Sequence, residues 1–233
     1  MKKYLLLTLT PLMLFAQSYM AKIEPYKEYT LYAQSAGEIV QLDTNDETKT
    51  VTKTIVKLDD ELEQKQLSIY KKQLKLYLQK LHILEKSYEK YIKITGKSQS
   101  DKDDKLYEII ELKISIETLQ ANIYEIKNTL KKKIVTVKDL YIKEFLVNKG
   151  DYVSTGATLA KAYEINKSKI VVYVSMSDIE NIHNKKVLIN GKENQASIEK
   201  IDLTVDDVYV SAYKVTLISK NKSFGTVVNV EFK

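Results

Sequence analysis

In the stretch 67–91, LSIYKKQLKLYLQKLHILEKSYEKY, the apolar residues Leu67, Tyr70, Leu74, Tyr77, Leu81, Leu84, Tyr88 and Tyr91 step alternately by three and four. A second run, Ile109, Leu112, Ile116, Leu119, Ile123, Ile126 and Leu130, keeps the same alternation. A 3.5-residue repeat holds one apolar seam toward a partner helix, so each run reads as one arm of a coiled coil. Only a short polar stretch, Thr95 to Asp104, separates them. The sequence therefore predicts a long antiparallel α-helical hairpin. At about 30 to 35 residues per arm it reaches roughly 45 to 50 Å. A rod of that kind leaves no room for a catalytic pocket, and its tip is exposed to other proteins.

Upstream, Met1 to Ala16 has the layout of a secretory signal. Lys2 and Lys3 precede an apolar stretch from Tyr4 to Phe15, and small residues follow at Ala16 and Ser18. The apolar run of about 12 residues falls short of the ~20 that span a bilayer. The reading is export, with a mature chain starting at or near Gln17 or Tyr19. No cysteine is present, which excludes disulfides, thiolate metal sites and a lipoprotein anchor.

Charged residues make up 29% of the chain and the net charge is +6, with every basic residue a lysine. These lysines interleave with acids along the outer helix faces, as in Glu85, Lys86, Glu89, Lys90 and Lys93, which reads as a solvated flank. The absence of arginine argues against bidentate base contacts, so no nucleic-acid partner is expected.

Beyond the second helical run, two glycines six apart, Gly150 and Gly156, stand between short apolar segments and read as turns needing positive φ. Asp151 can cap the first of them, and Val153 and Leu159 are spaced to point inward. This Gly-Asp-x-Val-x-x-Gly-x-x-Leu run resembles the second half of a biotinyl/lipoyl-like domain. The first half resembles Ser35 to Val40, opening at Gly37, together with Ile55, Leu58 and Asp59. The family's Gly-Asp falls on Asp46-Glu47 and its second glycine on Thr52. Half-motif, helical hairpin, half-motif and further strands, in that order, resemble the periplasmic adaptor subunits, or membrane fusion proteins, of tripartite efflux pumps.

That resemblance implies a mainly β fold with an inserted long antiparallel coiled-coil hairpin, built on a lipoyl-like β-sandwich and a small β-barrel. Its boundaries are 1–18 for the signal peptide, 19–33 for the first barrel strand and 34–58 for the first lipoyl-like half. They continue with 59–133 for the hairpin, 134–166 for the second half and 167–233 for the barrel. Ser177 to Ile182 resembles the short helix that plugs an adaptor barrel. Asn190-Gly191 is a hairpin pair, and Ala196 to Ile201, Val208 to Ile218 and Phe224 to Phe232 alternate as strands. With the chain stopping at Lys233 directly after this last strand, the resemblance implies a minimal adaptor without a further membrane-proximal domain.

The implied partners are an inner-membrane transporter, with the resistance-nodulation-division (RND) type favoured over an ATP-driven exporter, a TolC-like outer-membrane channel, and sister copies in a hexamer. The rival from another class is an exported coiled-coil scaffold with no transport role. Adaptors meet the channel through an Arg, Leu, Ser pattern at the hairpin tip. The nearest equivalents here are Lys90, Ile94, Ser98 and Ser100, with Lys97 exposed between them. The turn on which lipoyl domains carry an acceptor lysine is replaced by the hairpin, so no cofactor is expected. His82 and His183 are far apart in sequence. The acid groups Asp43-Asp46-Glu47, Asp101-Asp103-Asp104 and Asp202-Asp206-Asp207 lack calcium-loop spacing, so no metal is expected. With no nucleophile elbow and no phosphate loop, the chain reads as a non-enzyme.

Overall fold

A computed structural model describes residues 17–180, 182–193, 195–205 and 211–233. The signal segment expected up to Ala16, Asp206 and Asp207 of an acid group, and Val208 to Val210 at the start of an expected strand lie outside the described residues. The chain divides into two compact units, Thr30–Ala162 and Met1–Tyr29 with Tyr163–Lys233.

In the unit Thr30–Ala162, the strands β2 (Gly37–Leu42) and β3 (Thr50–Leu58) precede two helices, α1 (Glu61–Tyr91) and α2 (Gln99–Lys132). They are followed by β4 (Ile134–Phe145) and the two-residue β5 (Tyr152–Val153). The antiparallel order is β5-β2-β3-β4. Residues on either side of the helices bond directly to one another. Ile39 N–H donates to Asp151 O at 2.9 Å, Gly150 N–H to Ile39 O at 2.8 Å and Gly156 N–H to Ala33 O at 2.8 Å. Ile39, Ile55, Val56, Leu58, Val137, Ile142, Val153 and Leu159 form the buried core. Each such aliphatic side chain contributes about 1.5 to 3 kcal/mol on leaving water.

The turn chemistry differs between the two ends. Gly150 and Gly156 have φ of +93° and +86°, as their spacing predicts, and the Asp151 carboxylate accepts the Asn148 N–H at 2.7 Å. On the other side no glycine fills the turn. A 3-10 turn at Thr44–Asp46 leads to Thr48, which adopts φ +62°. Thr52, where the family pattern has its second glycine, is a strand residue instead. It exchanges hydrogen bonds with Asp139 (φ +52°), its hydroxyl donating to the carboxylate and accepting the N–H, both at 2.8 Å, beside an irregularity in the β3–β4 register.

The helices have 31 and 34 residues and no internal glycine or proline. All seven apolar seam positions of α2 are buried except Ile126, which is half-buried. On α1 only Leu67 is buried, and the other seven seam residues are half-buried. Four of those eight are tyrosines, and the Tyr77 hydroxyl accepts a hydrogen bond from Gln73 at 3.1 Å. Leu67 clusters with Leu119, Ile123 and Leu130, while Lys113 pairs with Glu85 at 2.8 Å, so the two helices run antiparallel. At their base, Lys133 is buried. Its ammonium donates to Asp59 O at 2.7 Å and pairs with Glu63, joining the start of α1 to the end of α2.

The second unit contains β1 (Ser18–Tyr32), β6 (Thr158–Ser175), β7 (Val187–Ile189), β8 (Lys192–Glu193), β9 (Ala196–Val205), β10 (Ala212–Ser219) and β11 (Val227–Phe232). Of these, β1 and β6 also supply residues to the other unit. Its core gathers Ile23, Ile170, Val172, Val174, Ile182, Ile189, Val215, Leu217, Val228, Val230 and Phe232. Hydrogen bonds give the order β9-β10-β6-β1-β11-β7-β8. The barrel expected over 167–233 is therefore not closed among the described residues. The reason is the Asn190-Gly191 turn, whose φ angles of +51° and +77° fold β8 back along β7. β11 takes the other edge of β7, and no β7–β9 ladder forms among the described residues. The expected plug helix is also shorter than predicted. Ser177 to Glu180 forms turns, and only Ile182–Asn184 is helical, in 3-10 form, with Ile182 buried.

Candidate functional site

The turn between α1 and α2 carries the predicted site residues, and backbone bonds explain its shape. The last turn of α1 winds down through Ile92 N–H to Tyr88 O at 3.0 Å, Lys93 N–H to Lys90 O at 3.2 Å and Ile94 N–H to Tyr91 O at 3.1 Å. Gly96 then adopts φ +91°, which frees the chain to reverse, and open space surrounds it. Ser98 is the N-cap of α2, with φ −67° and ψ 156°, and its hydroxyl accepts the Asp101 N–H at 3.1 Å. Gln99 donates to the Asp103 carboxylate at 2.7 Å one turn further on.

The predicted residues fall into three situations. Lys90 lies in the final turn of α1 and Ser100 in the first turn of α2, both exposed. Ile94 is exposed in the turn itself. Lys97 stands with its ammonium 5.2 Å from the centre of the Tyr91 ring, a cation–π distance, so the turn is held from both ends. Ser98 caps α2 through its oxygen, and its hydroxyl keeps a donor proton. Tyr91 and Asp101 were not singled out for the tip. The Ser98-Gln-Ser-Asp101 spacing, a relative of the capping box, was the signal for the cap. What the tip offers chemically is an exposed isoleucine, hydroxyls and ammonium groups on a backbone already ordered by its own bonds.

The second set, Gly37, Gly150, Asp151 and Gly156, lies at the β2 and β5 turns. A Cβ on Gly37 would stand 3.4 Å from Leu58 Cβ, so the position also serves close packing. These residues carry no exposed reactive group beyond the Asp151 carboxylate already bonded to Asn148.

Elsewhere, an open cleft of about 950 Å³ lies between Asn166, Lys167, Gln195, Ser197, Ser219 and Asn221. Of its lining, Ser219 donates to Gln195 O at 2.6 Å, and the neighbouring Ser168 donates to Ser219 O at 3.2 Å. Among the described residues, no three His, Cys, Asp or Glu side chains gather as a metal site, and no helix is long and apolar enough to cross a membrane.

Neither a protein family profile nor a curated protein matches this sequence. Solved structures do match its backbone. The membrane fusion protein Spr0693 from Streptococcus pneumoniae R6 superposes with a TM-score of 0.69 at 11% identity, over 94% of this chain and 99% of that one. The chain has the membrane fusion protein fold. MacA from Actinobacillus actinomycetemcomitans shares it, with a TM-score of 0.60, 17% identity and coverage of 94% and 79%. A Bacteroides eggerthii DSM 20697 protein described as an efflux transporter does so with a TM-score of 0.60, 14% identity and coverage of 94% and 68%. At these identities the likeness lies in the fold rather than in shared side chains.

Proposed function

We propose that this chain is a periplasmic adaptor that links an inner-membrane efflux transporter to a TolC-like outer-membrane channel for export of toxic compounds. The observation that carries the reading is the tip itself. A turn ordered by the Ser98 cap and the Tyr91–Lys97 contact ends a helix pair and exposes Ile94. The membrane fusion protein fold supports the same reading. A pre-ordered tip can dock against helix ends of a channel with little entropy left to lose. In this proposal the helix pair is a coiled-coil hairpin, the Thr30–Ala162 strands are a lipoyl-like sandwich, and the second unit faces the transporter, with the RND type preferred. Copies assemble as a hexamer, so the role is mechanical and sealing rather than chemical.

A photo-crosslinker at Lys97 should capture an outer-membrane channel in cells, and a deletion strain should accumulate dyes, detergents or antibiotics. Capture of no channel, together with unchanged accumulation, would overturn the adaptor role in favour of an exported scaffold.

A further inference from the structure

The second unit holds a cleft for which a mechanical and sealing role has no use. It opens where the ends of β6, β9 and β10 lie side by side, with Ser219 opposite both Ser168 and Ala196 in the sheet register. Its volume of about 950 Å³ falls near the top of the roughly 300 to 1,000 Å³ of small-molecule sites. Such sites are mostly apolar, but among the described residues the apolar lining here is only Ala196 and Ile218. An apolar compound therefore has little to hold it. No carboxylate lines the cleft among those residues either, so a cation lacks a counter-charge.

What the cleft does offer is polar and basic. Lys220 is exposed and forms no ion pair among the described residues. The side chains of Asn166 and Ser197 make no hydrogen bond among them. The Asn221 carboxamide oxygen accepts the Ser223 N–H at 3.0 Å, which leaves its amide NH2 free to donate. Lys167, by contrast, is already engaged. Its ammonium lies 3.7 Å from the centre of the Tyr26 ring and 3.6 Å from the Glu199 carboxylate, which also accepts the Tyr26 hydroxyl at 2.8 Å. Lys167 thus neutralises Glu199, and the charge of Lys220 stays uncompensated.

We infer that this cleft binds an acidic sugar, with Lys220 on its carboxylate and Asn166, Ser197 and Asn221 on its hydroxyls. An ammonium is a compact point charge and reads only the anion. An amide presents a donor and an acceptor side by side, and a hydroxyl can serve as either, which suits a ring carrying adjacent hydroxyl groups. The inference rests on residues of this unit alone and not on the adaptor reading.

Three probes separate the two kinds of contact in titrations of the full chain as purified from cells, followed by calorimetry and ligand-observed NMR. Lactobionate carries sugar hydroxyls and a carboxylate, lactose carries the hydroxyls alone, and inorganic phosphate is an anion without a sugar. Lactobionate should bind saturably, and lactose about tenfold more weakly for want of the charged hydrogen bond. Phosphate at equal concentration should not displace lactobionate. Lys220→Gln should bring lactobionate down to the affinity of lactose and leave lactose unchanged. Asn166→Ala with Ser197→Ala should weaken both sugars about tenfold. All three substituted side chains are exposed, and circular dichroism checks folding. Lys149→Gln, at an exposed lysine of the other unit, should change nothing. Absence of saturable binding, lactose binding as tightly as lactobionate, or a Lys220→Gln variant that binds like the parent would each overturn the inference. So would displacement by phosphate, which would reduce the site to a bare anion contact.

Discussion

At the scale of single residues, three side chains carry consequences that their types alone do not announce. Thr48 holds φ +62°, a costly conformation for a β-branched residue, and its side chain is exposed. Thr48→Gly should therefore stabilise the protein by about 1 kcal/mol, read as a higher thermal midpoint; a lower midpoint would show that the strain is relieved some other way. Ser98→Ala removes the cap of α2 and should cost about 1 kcal/mol, felt first as fraying of the tip in amide hydrogen exchange. Unchanged exchange at Asp101 would contradict the capping role. Lys133 has its ammonium between Asp59 O and the Glu63 carboxylate, with its side chain buried. Lys133→Met leaves both acceptors short of a donor and should cost about 1 to 3 kcal/mol in denaturant melts.

At the scale of elements, the seam and the helix base can be tested against each other. Leu119 is buried in the α1–α2 contact and Lys127 is exposed on α2. Leu119→Asp buries an unpaired carboxylate and should lower stability by about 3 to 5 kcal/mol, while Lys127→Asp should stay within about 0.5 kcal/mol. Equal losses would refute the seam. Acid acts on the same region through Asp60. Burial raises its carboxyl, but hydrogen bonds from Lys57 at 3.1 Å and from Gln64 lower it further, so it lies below the usual carboxylate range. A carboxyl depressed on folding contributes above its unfolded pKa, and that contribution is lost as pH falls through the folded value. The thermal midpoint should thus drop below about pH 4. Asp60→Asn should flatten the drop, and an unaltered slope would place the acid sensitivity elsewhere.

At the scale of the whole molecule, helix length is the quantity the proposed role depends on. Removing 74–80 and 117–123 deletes one heptad from each helix at matching heights. It preserves the seam alternation and shortens the pair by about 10 Å. Both units should keep a cooperative melt while export is lost; full export from the shortened chain would mean that reach is not what the helices supply. The helices were legible in the sequence because a 3.5-residue repeat needs only local spacing. So were the turns at Gly150 and Gly156 and the hairpin at Asn190-Gly191, since each requires a particular backbone conformation. Other features depend on partners distant in the chain. Ile39 and Asp151 meet only because the helix pair returns the chain to its starting point. Thr48 holds its positive φ with its N–H donating to Ile142 O at 2.8 Å across the sheet, a partner 94 residues away in the chain. Whether the strands of the second unit close depended on which edge β8 occupied, and the alternation of apolar residues is the same for an open sheet and a closed one. By itself the sequence determined the periods, the turns and the local Ser98 cap, which are properties of neighbours; the tertiary structure decided strand order and closure, which depend on which hydrogen-bonding groups other segments had already taken.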